Sequence, residues 1–106
     1  MKYKVKITDT ALQDLEEITN YIYRSSLDIK VTKDFIEGVK NKCKSLDTFP
    51  NGGSLPRDYV LKCAGYRFVI YKDYLIFCLV DEENKFVNVV AIFNSKKDYI
   101  RTLKGY

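Results

Sequence analysis

Arg67 stands in a strand-like run, Tyr66-Arg-Phe-Val-Ile-Tyr71, whose other members are all apolar or aromatic. A cation placed there needs an anionic or solvated partner, because burying it unpaired is costly. Two readings follow. One is an ion pair with Asp73 or Asp98; the other is a planar guanidinium fork offered to a phosphate. A second group lies in Ser95-Lys-Lys-Asp-Tyr-Ile-Arg101. The Tyr99 phenol titrates near pH 10 in isolation. The neighbouring cations Lys96 and Lys97 would favour its anion and could stabilise an extra negative charge on a pentacoordinate phosphate. Alternatively, Tyr99 anchors the tail on a sheet. Arg57 and Lys62 flank Tyr59 and Cys63. With Lys96 and Arg101 they either extend a cationic rim for a nucleic-acid backbone or are ordinary surface charge.

Other chemistries are disfavoured by what is missing. There is no histidine, and Cys43, Cys63 and Cys78 lack metal-ligand spacing, so no metal site is expected. Cys43 and Cys78 sit inside apolar patterns and read as buried thiols. Cys63 has no histidine to activate it, which argues against cysteine nucleophilic catalysis. No cofactor motif is present. The net charge is +4 and is uneven: residues 1–50 carry nine Lys/Arg against eight Asp/Glu, residues 51–106 nine against six. Near the end, Lys96, Lys97, Arg101 and Lys104 face only Asp98. That clustering reads as a solvated helix face or a polyanion contact.

The elements that must position these groups are legible from periodicity. Tyr3, Val5 and Ile7 alternate with lysines, a strand with one wet face toward a sheet edge. Thr10 with Gln13 reads as a capping box opening a helix that carries Ala11, Leu12, Leu15, Ile18 and Ile22 on one side and ends near Ser26. Asp28 is the expected cap of a second helix, with the apolar stripe Val31, Phe35, Ile36, Val39, Cys43 and Leu46. Gly38 inside it costs about 1 kcal/mol relative to alanine, which points to close packing. The short connection makes the pair an antiparallel hairpin. Pro50-Asn-Gly-Gly-Ser-Leu-Pro56 reads as a mobile loop. Three strands follow as a meander, turning at Lys72-Asp73 and at 81–85, and residues 96–103 form a short helix or extended tail. The expectation is one α+β domain over residues 1–106, in the order β-α-α-β-β-β, with the hairpin on one face of an antiparallel sheet and a short C-terminal helix or tail.

Tyr74–Val80 and Phe86–Phe93 do not alternate, so both faces of the sheet want cover. One hairpin can cover only one face, which leaves the other for a second molecule. No apolar run approaches the roughly 20 residues of a membrane span, and the start of the chain has no apolar signal core. A cytoplasmic location is expected.

Taken in order, Ala11-x-x-Asp14-Leu-Glu-Glu-Ile18-x-x-Tyr-Ile22, Phe49-Pro50, Gly65-Tyr-Arg67 with Tyr74-x-Ile-Phe77, and Lys97-Asp-Tyr99 resemble the RelE/ParE superfamily of type II toxins over nearly the whole chain. The resemblance implies a toxin neutralised by a cognate antitoxin in a hetero-oligomer, without cofactor or metal. It also implies one of two activities. RelE-like members cleave mRNA in the ribosomal A site; on that branch Arg67, Lys97 and Tyr99 would be catalytic, and Arg57, Lys62, Lys96 and Arg101 would contact nucleic acid. Lys97 stands where an arginine is commoner, and the histidine used by several nuclease members has no counterpart. ParE-like members poison DNA gyrase without cutting RNA, and the Asp14–Ile18 segment is similar to theirs. Ribosome-dependent mRNA cleavage is the first expectation and gyrase poisoning the alternative. A folded, antitoxin-binding but non-toxic member is a third possibility.

Overall fold

The computed structural model describes residues 2–96 and Leu103. Its elements are β1 (Lys4–Ile7), α1 (Asp9–Ser26), α2 (Ile29–Lys44), a 3-10 turn at Ser45–Asp47, α3 (Tyr59–Cys63), β2 (Tyr66–Tyr71), β3 (Tyr74–Asp81) and β4 (Phe86–Asn94). The strands form one sheet in the order β1-β4-β3-β2. The β2, β3 and β4 strands are antiparallel neighbours. β1 joins at the edge, as its alternation implies, but runs parallel to β4.

Helix α1 is capped by Thr8, two residues earlier than the expected Thr10: Thr8 Oγ1 accepts from the Ala11 N–H at 3.2 Å. The backbone decides this. Thr8 is still extended, and its own N–H completes the β1–β4 ladder by donating to Val89 O. The stripe Ala11, Leu15, Ile18 and Ile22 faces the sheet, whereas Leu12 is half exposed. Asp28 caps α2, accepting from the Lys30 and Val31 N–H groups. Thr32, Phe35, Val39 and Cys43 are the buried stripe of α2; Val31 points outward, one position off the expected face. Thr32 is admitted to the interior because its hydroxyl donates to Asp28 O at 3.0 Å. Gly38 explains itself by contact, since a Cβ there would overlap the Tyr71 ring. That close approach lets Tyr71 pack on Phe35 at 5.6 Å between ring centres.

The β3–β4 ladder slips between Phe77 and Cys78: Phe77 pairs with Ala91 and Cys78 with Val89, leaving Val90 as the extra residue. This bulge changes the phase of β4. Val87, Val89 and Ile92 pack on the hairpin side, and Val90, Ala91 and Phe93 on the other. It is why the β4 sequence shows no alternation.

The second face departs from expectation. Leu75, Phe77, Ala91 and Phe93 are buried there, with Phe77 ringed by Tyr66, Phe68 and Phe93. Leu103 packs against this cluster. The face is therefore not bare, because the chain returns at Leu103 to lie on it, and the need for a second molecule does not follow from this surface. Of its β2 residues, Ile70 stays exposed.

Candidate functional site

The start of β2 is where the structure gathers expected site residues. Arg67 pairs across the ladder with Cys78, so its side chain lies on the hairpin side of the sheet. Its Nη1 donates to Asn51 O at 3.2 Å and Gly53 O at 3.1 Å. These partners are loop carbonyls and not the expected carboxylates. Asp73 is excluded as an ion-pair partner by register: it lies beyond Tyr74, roughly five strand residues or about 17 Å from the level of Arg67. Asp98 lies outside the described residues.

The loop that Arg67 holds is not free. Ser54 and Phe68 exchange backbone hydrogen bonds at 2.7 and 3.0 Å, adding a single bridge to the outer edge of β2. Gly53 permits the approach, since a Cβ there would sit 2.9 Å from Phe68 O. The expected mobile loop is thus tied to the sheet at Asn51, Gly53 and Ser54. Sequence reasoning had a signal for this in the paired glycines Gly52-Gly53, which was read only as a chain breaker.

Beyond the loop, Asp58 caps α3 by accepting from the Leu61 N–H at 3.0 Å, and Leu61 is buried. This short helix was not expected. It brings Arg57, Tyr59, Lys62 and Cys63 around an open groove of about 400 Å³. Because α3 runs into β2 through Ala64 and Gly65, the groove lies at the same end of the sheet as Arg67. Tyr59 is exposed, so an aromatic face flanked by two cations is available there.

Lys96 is not part of this group. The Ser95 N–H donates to Asp73 O, which puts Lys96 at the opposite end of the strands from Arg67. Lys97, Tyr99 and Arg101 lie outside the described residues. Leu103, which is described, packs on the face opposite to the one that Arg67 occupies.

The thiols fit the sequence reading. Burial pushes Cys43 and Cys78 up to about 11; a neighbouring Cys78 thiolate adds to the effect on Cys43, while the Arg67 guanidinium pulls Cys78 the other way. Both are poor nucleophiles at neutral pH. Cys63 is exposed. Among the described residues no group of three His, Cys, Asp or Glu is placed to hold a metal ion.

The sequence model of the "ParE toxin of type II toxin-antitoxin system, parDE" matches residues 5–99. The chain belongs to the ParE toxin family. Solved structures similar to this ParE-family chain include the chromosomal ParDE toxin–antitoxin system from P. aeruginosa, at a TM-score of 0.70 and 18% identity over 88% of this chain and 96% of that one. The toxin–antitoxin complex RelBE2 from Mycobacterium tuberculosis is also similar, at a TM-score of 0.59 and 20% identity over 89% of this chain and 99% of that one. None of the curated proteins compared with this ParE-family chain matches it significantly. Both similar structures share its fold: an N-terminal strand, a helical hairpin and a mostly antiparallel sheet within the RelE/ParE superfamily. No described helix is long and apolar enough to cross a membrane.

Proposed function

We propose that this toxin arrests growth in the cytoplasm by binding and poisoning DNA gyrase, and that a cognate antitoxin neutralises it in a hetero-oligomer. The observation that carries this reading is the ParE family match over residues 5–99. The antitoxin partner is supported by the solved relatives, which are toxin–antitoxin systems.

Among the described residues, Arg67 and Lys96 are not brought together at one point. Phosphoryl-group chemistry needs donors converging on one point. Here Arg67 has one guanidinium nitrogen engaged by two loop carbonyls, and Lys96 lies about 17 Å along the strands from it. Mutation of Arg67 on this reading loosens a loop and removes no catalytic group.

Ribosome-dependent mRNA cleavage is the second reading, favoured by the groove that joins Arg57 and Lys62 to the exposed ring of Tyr59. Aromatic faces between cations suit single-stranded nucleic acid, each stacked base contributing about 1–3 kcal/mol. On that reading Lys97 and Tyr99 would complete a catalytic set with Arg67.

Pulse-labelling of protein and DNA synthesis in the first minutes after induction separates the two. The expected result is early DNA damage, with double-strand breaks while translation continues. Immediate loss of translation with cut mRNA, and unchanged supercoiling by purified gyrase, would overturn the gyrase reading.

A further inference from the structure

The two helices of the hairpin carry opposite charge. Helix α1 holds Asp9, Asp14, Glu16 and Glu17 against the single Arg24, a net −3. Helix α2 holds Lys30, Lys33, Lys40, Lys42 and Lys44 against Asp34 and Glu37, a net +3. All of these side chains except Asp14 are exposed. Asp14 is turned inward and accepts from the Ile92 N–H at 3.0 Å. Lys40 and Lys44 also rim a groove of about 420 Å³ beside the open edge of β1. Among the described residues, no ion pair within the chain engages Asp9, Glu16, Glu17, Lys40 or Lys44.

The same hairpin carries apolar side chains that the fold leaves uncovered. Leu12, Tyr23, Ile29 and Val31 are 44–61% exposed, and Leu27, between the helices, is 76% exposed. Leu27 also sits in the left-handed backbone region at φ 53°, where glycine is unstrained and a leucine is not. Helical spacing mixes the two kinds of residue. Leu12, Glu16 and Tyr23 share one side of α1, and Ile29, Lys33, Lys40 and Lys44 share one side of α2.

We infer that the outer face of the hairpin is an interface between two copies of this chain, with α1 of each copy lying antiparallel on α2 of the other. Charge selects the occupant. A polyanion is attracted by α2 and repelled by α1, and a polycation the reverse. A surface with both signs side by side satisfies both helices, and the hairpin is itself such a surface. Charge also selects the axis. Two hairpins meeting face to face are related by a two-fold axis either across the helices or along them. The first sets α1 on α1 and α2 on α2, like charge on like; the second sets each acidic helix on a basic one. Counting equal numbers of residues back from the Ser26–Ile29 tip puts Glu16 beside the level of Lys40 and Asp9 near that of Lys44. An axis along the helices preserves these levels. Glu16 then meets the partner's Lys40 and Asp9 the partner's Lys44, while the two Leu27 side chains come together on the axis. The face measures about 27 Å by about 20 Å, less than the roughly 800 Å² per partner of a standard interface, so the dimer should dissociate in the micromolar range. The inference is independent of the target of the toxin.

The test is analytical ultracentrifugation of the full chain across the micromolar range. The parent should pass from monomer to dimer, and added salt should weaken the association. Glu16→Lys/Glu17→Lys makes both helices basic, and Lys40→Glu/Lys44→Glu makes both acidic. Each variant alone should dimerise at least tenfold more weakly. Mixed in equal amounts the two should form a heterodimer, and the chain carrying all four substitutions should dimerise as the parent does. On a Cys63→Ser background, Leu27→Cys chains should cross-link to one another on mild oxidation with copper phenanthroline. Circular dichroism of the dilute monomers, expected unchanged, separates a lost dimer from a lost fold. A parent that stays monomeric throughout would overturn the inference and assign the face to a different protein. Full dimerisation of either charge-reversed variant, mixed variants that do not pair, or Leu27→Cys chains that do not cross-link would overturn it as well.

Discussion

At the β2 edge, the chain supplies its own cover: Ser54 bridges to Phe68, and Arg67 holds Asn51 O and Gly53 O from the side. At the β1 edge, on the opposite side of the four-stranded sheet but the same kind of boundary, one backbone bond from Tyr3 to Asp47 is followed by open strand flanked by lysines. An apolar edge such as Phe68–Ile70 would aggregate if bare, so it is closed by backbone. A short edge bearing Lys4 and Lys6 is defended by charge and needs no cover. The difference also changes how an arginine in a strand should be read: Arg67 is compatible with its half-buried place because two carbonyls receive its donors.

The largest expected effect lies in what the two edges share. Phe77 is fully buried at the centre of the sheet, and Phe77→Ala should lower stability by about 3–5 kcal/mol, seen as a lower urea midpoint. Such a loss should free both edges together.

Next comes the closed edge alone. Arg67→Ala removes two charge-assisted hydrogen bonds, each expected to contribute on the order of 1 kcal/mol at a half-exposed site. It should lower the urea midpoint modestly and speed amide exchange at Ser54. Arg67→Lys should not fully restore the clamp, because the shorter lysine side chain ends short of the Nη1 position that donates to both carbonyls. A variant as stable as the parent would break the contrast between the edges.

The open edge should respond least. Lys4→Glu/Lys40→Glu/Lys44→Glu alters exposed charges only, and its stability by urea unfolding should stay within about 0.5 kcal/mol per site of the parent.

The pH dependence has two signed parts. Cys43 and Cys78 are raised to about 11 in the fold, so they favour the protonated form there more than in the unfolded chain. Stability should be unaffected by them below pH 9 and decline between about pH 9 and 11, as unfolded thiols ionise first. In native protein a maleimide should label Cys63 well before either. Asp81 is held below the usual carboxylate range, chiefly by the Asn84 side chain and then by the Asn84 backbone N–H. Its contribution to the β3–β4 turn is present at neutral pH and lost as pH falls through that lowered value. Amide exchange at Asn84 should therefore quicken in acid.

Much of the fold was legible because its determinants are local. Asp28 sits where a cap is required, Tyr3, Val5 and Ile7 alternate, and the Lys72-Asp73 link joins Tyr71 to Tyr74 as expected. What escaped depends on contacts between distant segments. The Thr8 cap follows from the β1–β4 ladder, the bulge at Val90 from pairing with β3, and the cover on Phe77 from the return of the chain at Leu103. The site was less legible for the same reason. Arg57 and Lys62 are brought together by α3, a helix too short to announce itself by period. The partners of Arg67 are backbone carbonyls, which no side-chain pattern encodes. The lysine-rimmed β1 groove combines residues 3–7 with 40–47, and neither stretch signals it alone.

Residue-resolved amide exchange of the isolated full chain, with and without Arg67→Ala, tests the contrast between the edges most directly. Ser54 and Phe68 should be protected in the parent while Val5 and Ile7 exchange quickly, and Arg67→Ala should bring Ser54 toward the rate of Val5. Slow exchange at Val5 and Ile7 in the isolated chain, or a Ser54 that stays protected without the guanidinium, would contradict the account.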